Sequence, residues 1–308
     1  MRRKGLSVIK SDAVHHIYQN TVKGYLLFYS VKDYLVLLTI IMTAARRHGV
    51  VILGLCLMPD HIHLLVRCAG PEPLRAFVRD YTRLYTCRFN SHYGFSGPVF
   101  NTPFGRAPKL GNKKIRTAIA YLYNNPVEGH ICTKAEDNRW NFLAYGAAKY
   151  PFSEKMRMDR IRWGLRKALY LVKAFRRQDR PLDYQILERM TCNLSATELQ
   201  QFTDYVIWKY NQIDYSALIR YYGTYDKMLT AIDSNTGSEY DIEEDTFAKD
   251  YSVYPKMIRH LCQEYGVPMR EILHFPDERK VKIAYRLQRL FGVSRAETAK
   301  LLRFSAEM

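Results

Sequence analysis

The sequence predicts an α+β protein. A ferredoxin-like antiparallel sheet with helices on one face is expected over residues 1–150, followed by an all-α C-terminal region with helix-turn-helix-like units. Three observations carry this reading. Residues 15–91 run strand, helix, paired strands, helix, the order of a split βαβ core. The stretch 55–66 consists of two apolar runs that meet at Pro59 and Asp60, which reads as a strand pair. Near the C-terminus, residues 261–267 with Glu271 match residues 287–293 with Glu297, and each copy reads helix, glycine turn, helix.

The elements follow in order. Residues 1–12 read as a basic tail, 15–20 as an alternating strand, and 25–29 as a short strand after a turn at Gly24. Ser30 caps a helix over 31–48, with Leu35, Leu38, Met42 and Ala45 on one face and Gly49 closing it. Strands are expected over 50–58 and 61–66. Pro73 then opens a helix to about residue 91, on which Arg75, Arg79 and Arg83 form a basic face. Residues 94–111 read as a loop, and a helix follows in which Ile115, Ile119 and Leu122 recur at helical spacing until Pro126. A basic helix is expected over 154–180 as a connector. Residues 181–308 form a separate helical region, with helices over 182–232, an acidic connector over 234–245 and the repeat at about 251–308. In the second copy Ser294 caps a recognition-like helix.

Composition narrows the function classes. With 308 residues and 47% hydrophobic content, the chain can bury a sizeable core. No apolar run reaches the roughly 20 residues of a membrane span, and no apolar segment follows the basic start, so an intracellular protein is expected. Cys56, Cys68, Cys87, Cys132, Cys192 and Cys262 form no Cys-x-x-Cys pair, which fits a reducing compartment and argues against a zinc ribbon. The net charge of +17 is uneven: residues 1–180 hold 31 Lys and Arg against 11 Asp and Glu, residues 181–308 hold 16 against 19. A basic half of this size is the footprint of a polyanion, most often nucleic acid.

The chemistry concentrates at two places. His61 and His63 are two apart in a strand, so they project from one face while Ile62 turns into packing. Two neighbouring imidazoles begin a divalent-metal site but leave it short of an oxygen ligand. The plain alternative is a pair of half-exposed histidines on a sheet edge. Tyr121 and Asn125 are four apart on the later helix and lie one above the other. That face presents a phenol and a neutral oxygen ligand together.

These residues resemble a known family. Met58-Pro59-Asp60-His61-Ile62-His63 looks like the HUH motif (His, hydrophobic, His) of single-tyrosine transposases. The segment 121–127 looks like their Tyr-x-x-x-Asn-Pro, and Trp140 to Tyr145 resembles the Trp-x-x-Ser-Ser-Tyr that follows. The nearest group is the REP-associated tyrosine transposases. Two departures stand out: Asp60 occupies a position where Asn or Glu is usual, and Asn101 to Phe104 lacks a common arginine. The resemblance implies cleavage and rejoining of single-stranded DNA beside hairpins through a 5′-phosphotyrosine. Tyr121 would be the nucleophile, and His61, His63 and Asn125 would hold Mg²⁺ or Mn²⁺. It also implies a cytoplasmic, nucleoid-associated protein that often works as a homodimer and needs no nucleotide cofactor. DNA contacts are expected at Arg75, Arg79, Arg83, Arg106, Lys109, Lys113, Lys114, Arg162 and Arg166. The alternative is a non-cleaving regulator on the same fold that binds hairpin nucleic acid, for which His61, His63 and Tyr121 would be dispensable.

Overall fold

The structure, a computed structural model, describes residues 13–157, 159, 161–234 and 250–304. The expected tail over 1–12 and most of the acidic connector therefore lie outside the described residues. Four strands, β1 (Val14–Asn20), β2 (Val51–Met58), β3 (His61–Arg67) and β4 (Gly105–Lys109), form an antiparallel sheet in the order β2-β3-β1-β4. This is the ferredoxin-like order: β2 and β3 are joined tightly at Pro59 and Asp60, and β1 is inserted between β3 and β4.

Strand alternation gives the sheet two chemically different faces. Ile17, Ile62, Leu64 and Val66 point to one face, covered by α1 (Val31–Arg47) and α2 (Pro71–Tyr93), where the Tyr81 hydroxyl donates to Gln19 at 2.8 Å. His16, Tyr18, His61 and His63 share the other face by register, since His63 pairs with Tyr18 and His61 with Asn20. Helix α3 (Asn112–Glu128) covers that second face. It comes close because β2 carries a glycine there: a Cβ on Gly54 would sit 3.3 Å from Leu122 Cδ2. The helices expected on one face are thus α1 and α2, with α3 across the sheet from them.

Two local expectations change. Residues 25–29 form no strand, because their backbone groups bond to scattered partners: Leu27 N–H donates to the Pro59 carbonyl at 2.7 Å, and the Leu27 carbonyl accepts from the Tyr85 hydroxyl at 3.0 Å. Within the expected loop 94–111 lies β4, an edge strand that tolerates Pro108.

The basic helix α4 (Trp163–Arg177) begins well after residue 154, where Leu165, Ala168, Leu169 and Val172 recur at helical spacing and bury. Then follow α5 (Tyr184–Thr191), α6 (Ala196–Tyr210), α7 (Tyr215–Arg220), α8 (Tyr225–Asp233), α9 (Val253–Tyr265), α10 (Met269–Ile272), α11 (Asp277–Phe291) and α12 (Arg295–Leu302). The repeat appears as α9–α10 and α11–α12, with Gly266 and Gly292 at φ +67° and +66° closing the first helix of each. The second helix of the first copy is a single turn. Ser294 caps α12 with Glu297 in a reciprocal capping box.

These helices are bonded into the sheet unit. Leu182 N–H donates to Thr39 Oγ1, Asp214 N–H to the Ile52 carbonyl, and Asn124 Nδ2 to the Ile232 carbonyl. The densest link is the buried Asp33 carboxylate, which caps α1 through the Tyr29 and Ser30 amides at 2.8 and 2.6 Å. It also accepts from the Tyr93 hydroxyl of α2 at 3.0 Å and the Tyr184 hydroxyl of α5 at 2.8 Å. Asp33→Ala strands these buried donors, so we expect a loss of about 3 kcal/mol in a urea unfolding experiment.

Candidate active site

The site forms where α3 crosses β1 and β3. His63 is fully buried and His61 partly open, with ring centroids 4.9 Å apart and nearly perpendicular planes. Tyr121, 5% exposed, meets His63 and His16 edge-on at centroid distances of 5.5 and 5.6 Å. One turn further along α3, Asn125 is buried and its Nδ2 donates to the Tyr121 carbonyl at 2.8 Å. The four residues singled out in the sequence therefore lie together on one face.

A fifth residue, His16, joins them. His16 Nε2 lies 3.0 Å from His63 Nδ1, and both side chains are buried. Burial, with the charge of Lys109 acting the same way, lowers the His16 pKa to about 3. Burial also holds His63 well below the usual histidine range, helped by His61 and His16 and weakly opposed by Asn125. Both imidazoles are therefore neutral at physiological pH, the state a metal ligand needs. Strand parity could have found His16, but only once the β1–β3 register was known.

Among the described residues, no three His, Cys, Asp or Glu side chains converge into a ready metal cage. The donor set nonetheless fits a divalent ion. His63 Nε2 is buried without a hydrogen-bond partner while its Nδ1 faces His16. His61 Nδ1 is held by Asp60 Oδ1 at 2.6 Å, which turns its other nitrogen outward. Two imidazole nitrogens beside the amide of Asn125 make a mixed nitrogen and oxygen set.

The expected DNA-binding residues separate. Lys109 pairs with Val14 and so shares the His16 face of the sheet. Lys113 and Lys114 are exposed in the first turn of α3, with Lys114 two turns before Tyr121 on the same side of the helix. Arg106 pairs with Ile17 and points to the opposite face. Arg75, Arg79 and Arg83 lie on α2, behind the sheet, where Arg75 is paired with Glu72 and Arg79 lies 4.0 Å from Asp80. Arg162 and Arg166 belong to the start of α4, with Arg162 3.4 Å from Glu198. The α2 and α4 residues are thus not brought to the histidines.

Asp60 ties the site to the distant C-terminal helices. Its Oδ1 accepts from the Tyr251 hydroxyl at 2.8 Å as well as facing His61, and Lys300 Nζ of α12 lies 3.6 Å from Oδ2. Burial alone would raise this carboxyl, but His61, the Tyr251 hydroxyl and the Lys300 ammonium bring it down to about 2. A folded-state value below the unfolded one contributes stability above pH ~4 that disappears as pH falls toward 2. Asp60→Asn should therefore cost about 2 kcal/mol at pH 7, and the gap to wild type should close between pH 4 and 2 in urea titrations.

Comparison with known proteins gives two similarities. Residues 14–125, which contain β1 to β4, both histidines, Tyr121 and Asn125, match the family model described as "Transposase IS200 like". No curated protein sequence matches the chain. A solved structure of a REP-associated tyrosine transposase bound to a REP hairpin aligns with 53% of this chain and 95% of its own, at 15% identity and a TM-score of 0.40. Over residues 14–125 the chain is thus similar to the IS200-like transposase family.

Proposed function

We propose that the protein is a metal-dependent transposase that cleaves and rejoins single-stranded DNA beside hairpin elements. The carrying observation is the placement of the Tyr121 ring edge-on to His63 and His16, with Asn125 one helical turn away. Tyr121 Oη loses its proton and attacks the scissile phosphorus in line, the P–O bond to the 3′ oxygen breaks, and that oxygen takes up a proton and leaves as a free 3′-hydroxyl. The 5′ end stays on Tyr121 as a phosphotyrosine, which keeps the phosphodiester energy, so rejoining by an incoming 3′-hydroxyl needs no nucleotide cofactor. His61, His63 and Asn125 would hold Mg²⁺ or Mn²⁺, which supplies Lewis-acid polarisation of a phosphate oxygen.

The surrounding residues do the rest. His16 holds the His63 ring through Nδ1, and Asp60 holds His61, so both imidazoles present a fixed edge. Packing of α3 on the sheet at Gly54 sets the depth of Tyr121. Lys114, Lys113 and Lys109 supply positive charge to the strand entering above Tyr121. Affinity comes mainly from such phosphate contacts, which separates binding from cutting.

Tyr121→Phe removes one oxygen and keeps the ring, so stability should change by less than about 1 kcal/mol. The denaturation-resistant protein–DNA adduct formed with hairpin single strands and Mn²⁺ should vanish. Tyr123→Phe should retain the adduct, because Tyr123 is turned about 200° along α3 from Tyr121. An adduct mapped by mass spectrometry to any other residue contradicts the assignment. His61→Ala and His63→Ala should abolish cleavage while hairpin affinity is largely kept, and Asn125→Ala should be milder because water can replace one neutral ligand. Unaltered cleavage by either histidine variant at ordinary Mg²⁺ rules out their role. Should wild type bind hairpins without ever forming an adduct, the chain is a binding regulator instead.

A further inference from the structure

Helix α4 buries one side and presents an unusual other side. Leu165, Ala168, Leu169 and Val172 face inward against α5 and α6. On the outer side Trp163 is 72% and Tyr170 67% exposed, two of the few large hydrophobic side chains so open to solvent. At 100° per residue, Trp163, Lys167, Tyr170 and Arg177 fall within about 80° of arc, with Arg166 and Lys173 just beside them. Lys167 Nζ already lies 5.1 Å from the Trp163 ring centre. Along the last turns of the helix the same charge continues into an open cleft of about 510 Å³. Lys173, Arg176 and Arg177 line it with Arg46 and Lys209, against the single carboxylate of Asp179.

We propose that this outer face of α4 is a binding platform for single-stranded DNA, on which unpaired bases stack on Trp163 and Tyr170 while the backbone runs along the cations into the cleft. Stacking on exposed aromatics within a basic groove is how single strands are held without sequence readout. Duplex DNA cannot use the rings, since its base faces are already stacked. A membrane surface does not fit either, because the apolar side of α4 is committed to the protein interior. The two rings stand about 10 Å apart along the helix axis, far enough for each to take its own base. The platform gives the strand flanking a hairpin a second hold, remote from Tyr121. It rests on the proposed function only for the choice of DNA as the polymer.

The test uses the full chain in EDTA, which separates binding from cleavage, with fluorescein-labelled dT20 followed by anisotropy. Trp163→Ala and Tyr170→Ala should each weaken dT20 binding about tenfold, with Trp163→Phe close to wild type and duplex affinity unchanged. Lys173→Ala and Arg177→Ala should each reduce the slope of log K against log salt by about 0.7. Both aromatics are exposed, so melting temperatures should stay at the wild-type value and show that the fold is intact. Wild-type dT20 affinity in both alanine variants overturns the proposal. So does an equal loss for duplex, or a loss seen only with single-stranded RNA or anionic phosphatidylserine vesicles. Adduct formation at Tyr121 is scored separately: its absence alongside a tenfold loss for dT20 defeats the cleavage reading and leaves the platform standing.

Discussion

The site depends on how closely one helix can approach one sheet. Helix α3 lies on the face that carries three histidines, and its approach is set at Gly54, where a side chain would press on Leu122. A Cβ there would make the Leu122 side chain give way by a few tenths of an ångström. Tyr123, the neighbour on the other side of Leu122, is fully buried and helps to lock the helix in rotation as well as in height. Asn141 reinforces this from behind by donating to the Tyr123 carbonyl at 3.3 Å and the Ala135 carbonyl at 2.6 Å. The segment after α3 thus acts as a clamp on its C-terminal half.

The second organising interaction is the carboxylate of Asp60. It sits in the tight turn between β2 and β3 and orients His61. Its other partners come from residues roughly 190 and 240 positions later, Tyr251 and Lys300. Tyr251 also donates its amide to the Gly129 carbonyl at 2.9 Å, just past α3, so one C-terminal segment touches both the histidine turn and the end of the tyrosine helix. A buried carboxylate without these partners would carry a desolvation cost of several kcal/mol. The helical region therefore takes part in holding the geometry of the site, whatever else it binds.

The same economy appears at Asp33, where a capping carboxylate is shared by three elements. A capping box is a local device that usually faces water. Here α2 and α5 close over it, and two tyrosine hydroxyls replace the lost solvent. Burial raises the pKa of this carboxyl against the opposing hydrogen bonds.

Much of this was legible in the sequence, because it depends on short-range periodicity. Two-residue alternation placed His61 and His63 on one side of a strand, and four-residue spacing placed Tyr121 above Asn125. Ser30 and Ser294 marked helix starts that the structure repeats, and the ferredoxin-like element order followed from the succession of apolar runs. What stayed hidden depends on pairing between distant segments. The five residues of β4, with Gly105 and Pro108 among them, have no strand signature of their own and join the sheet by pairing with β1. His16 joined the site through strand register, and Tyr251 and Lys300 through the docking of helices far along the chain. Local spacing determines which side chains share a face, whereas only tertiary packing decides which faces meet, since that choice is made by burial and hydrogen bonding across the whole fold.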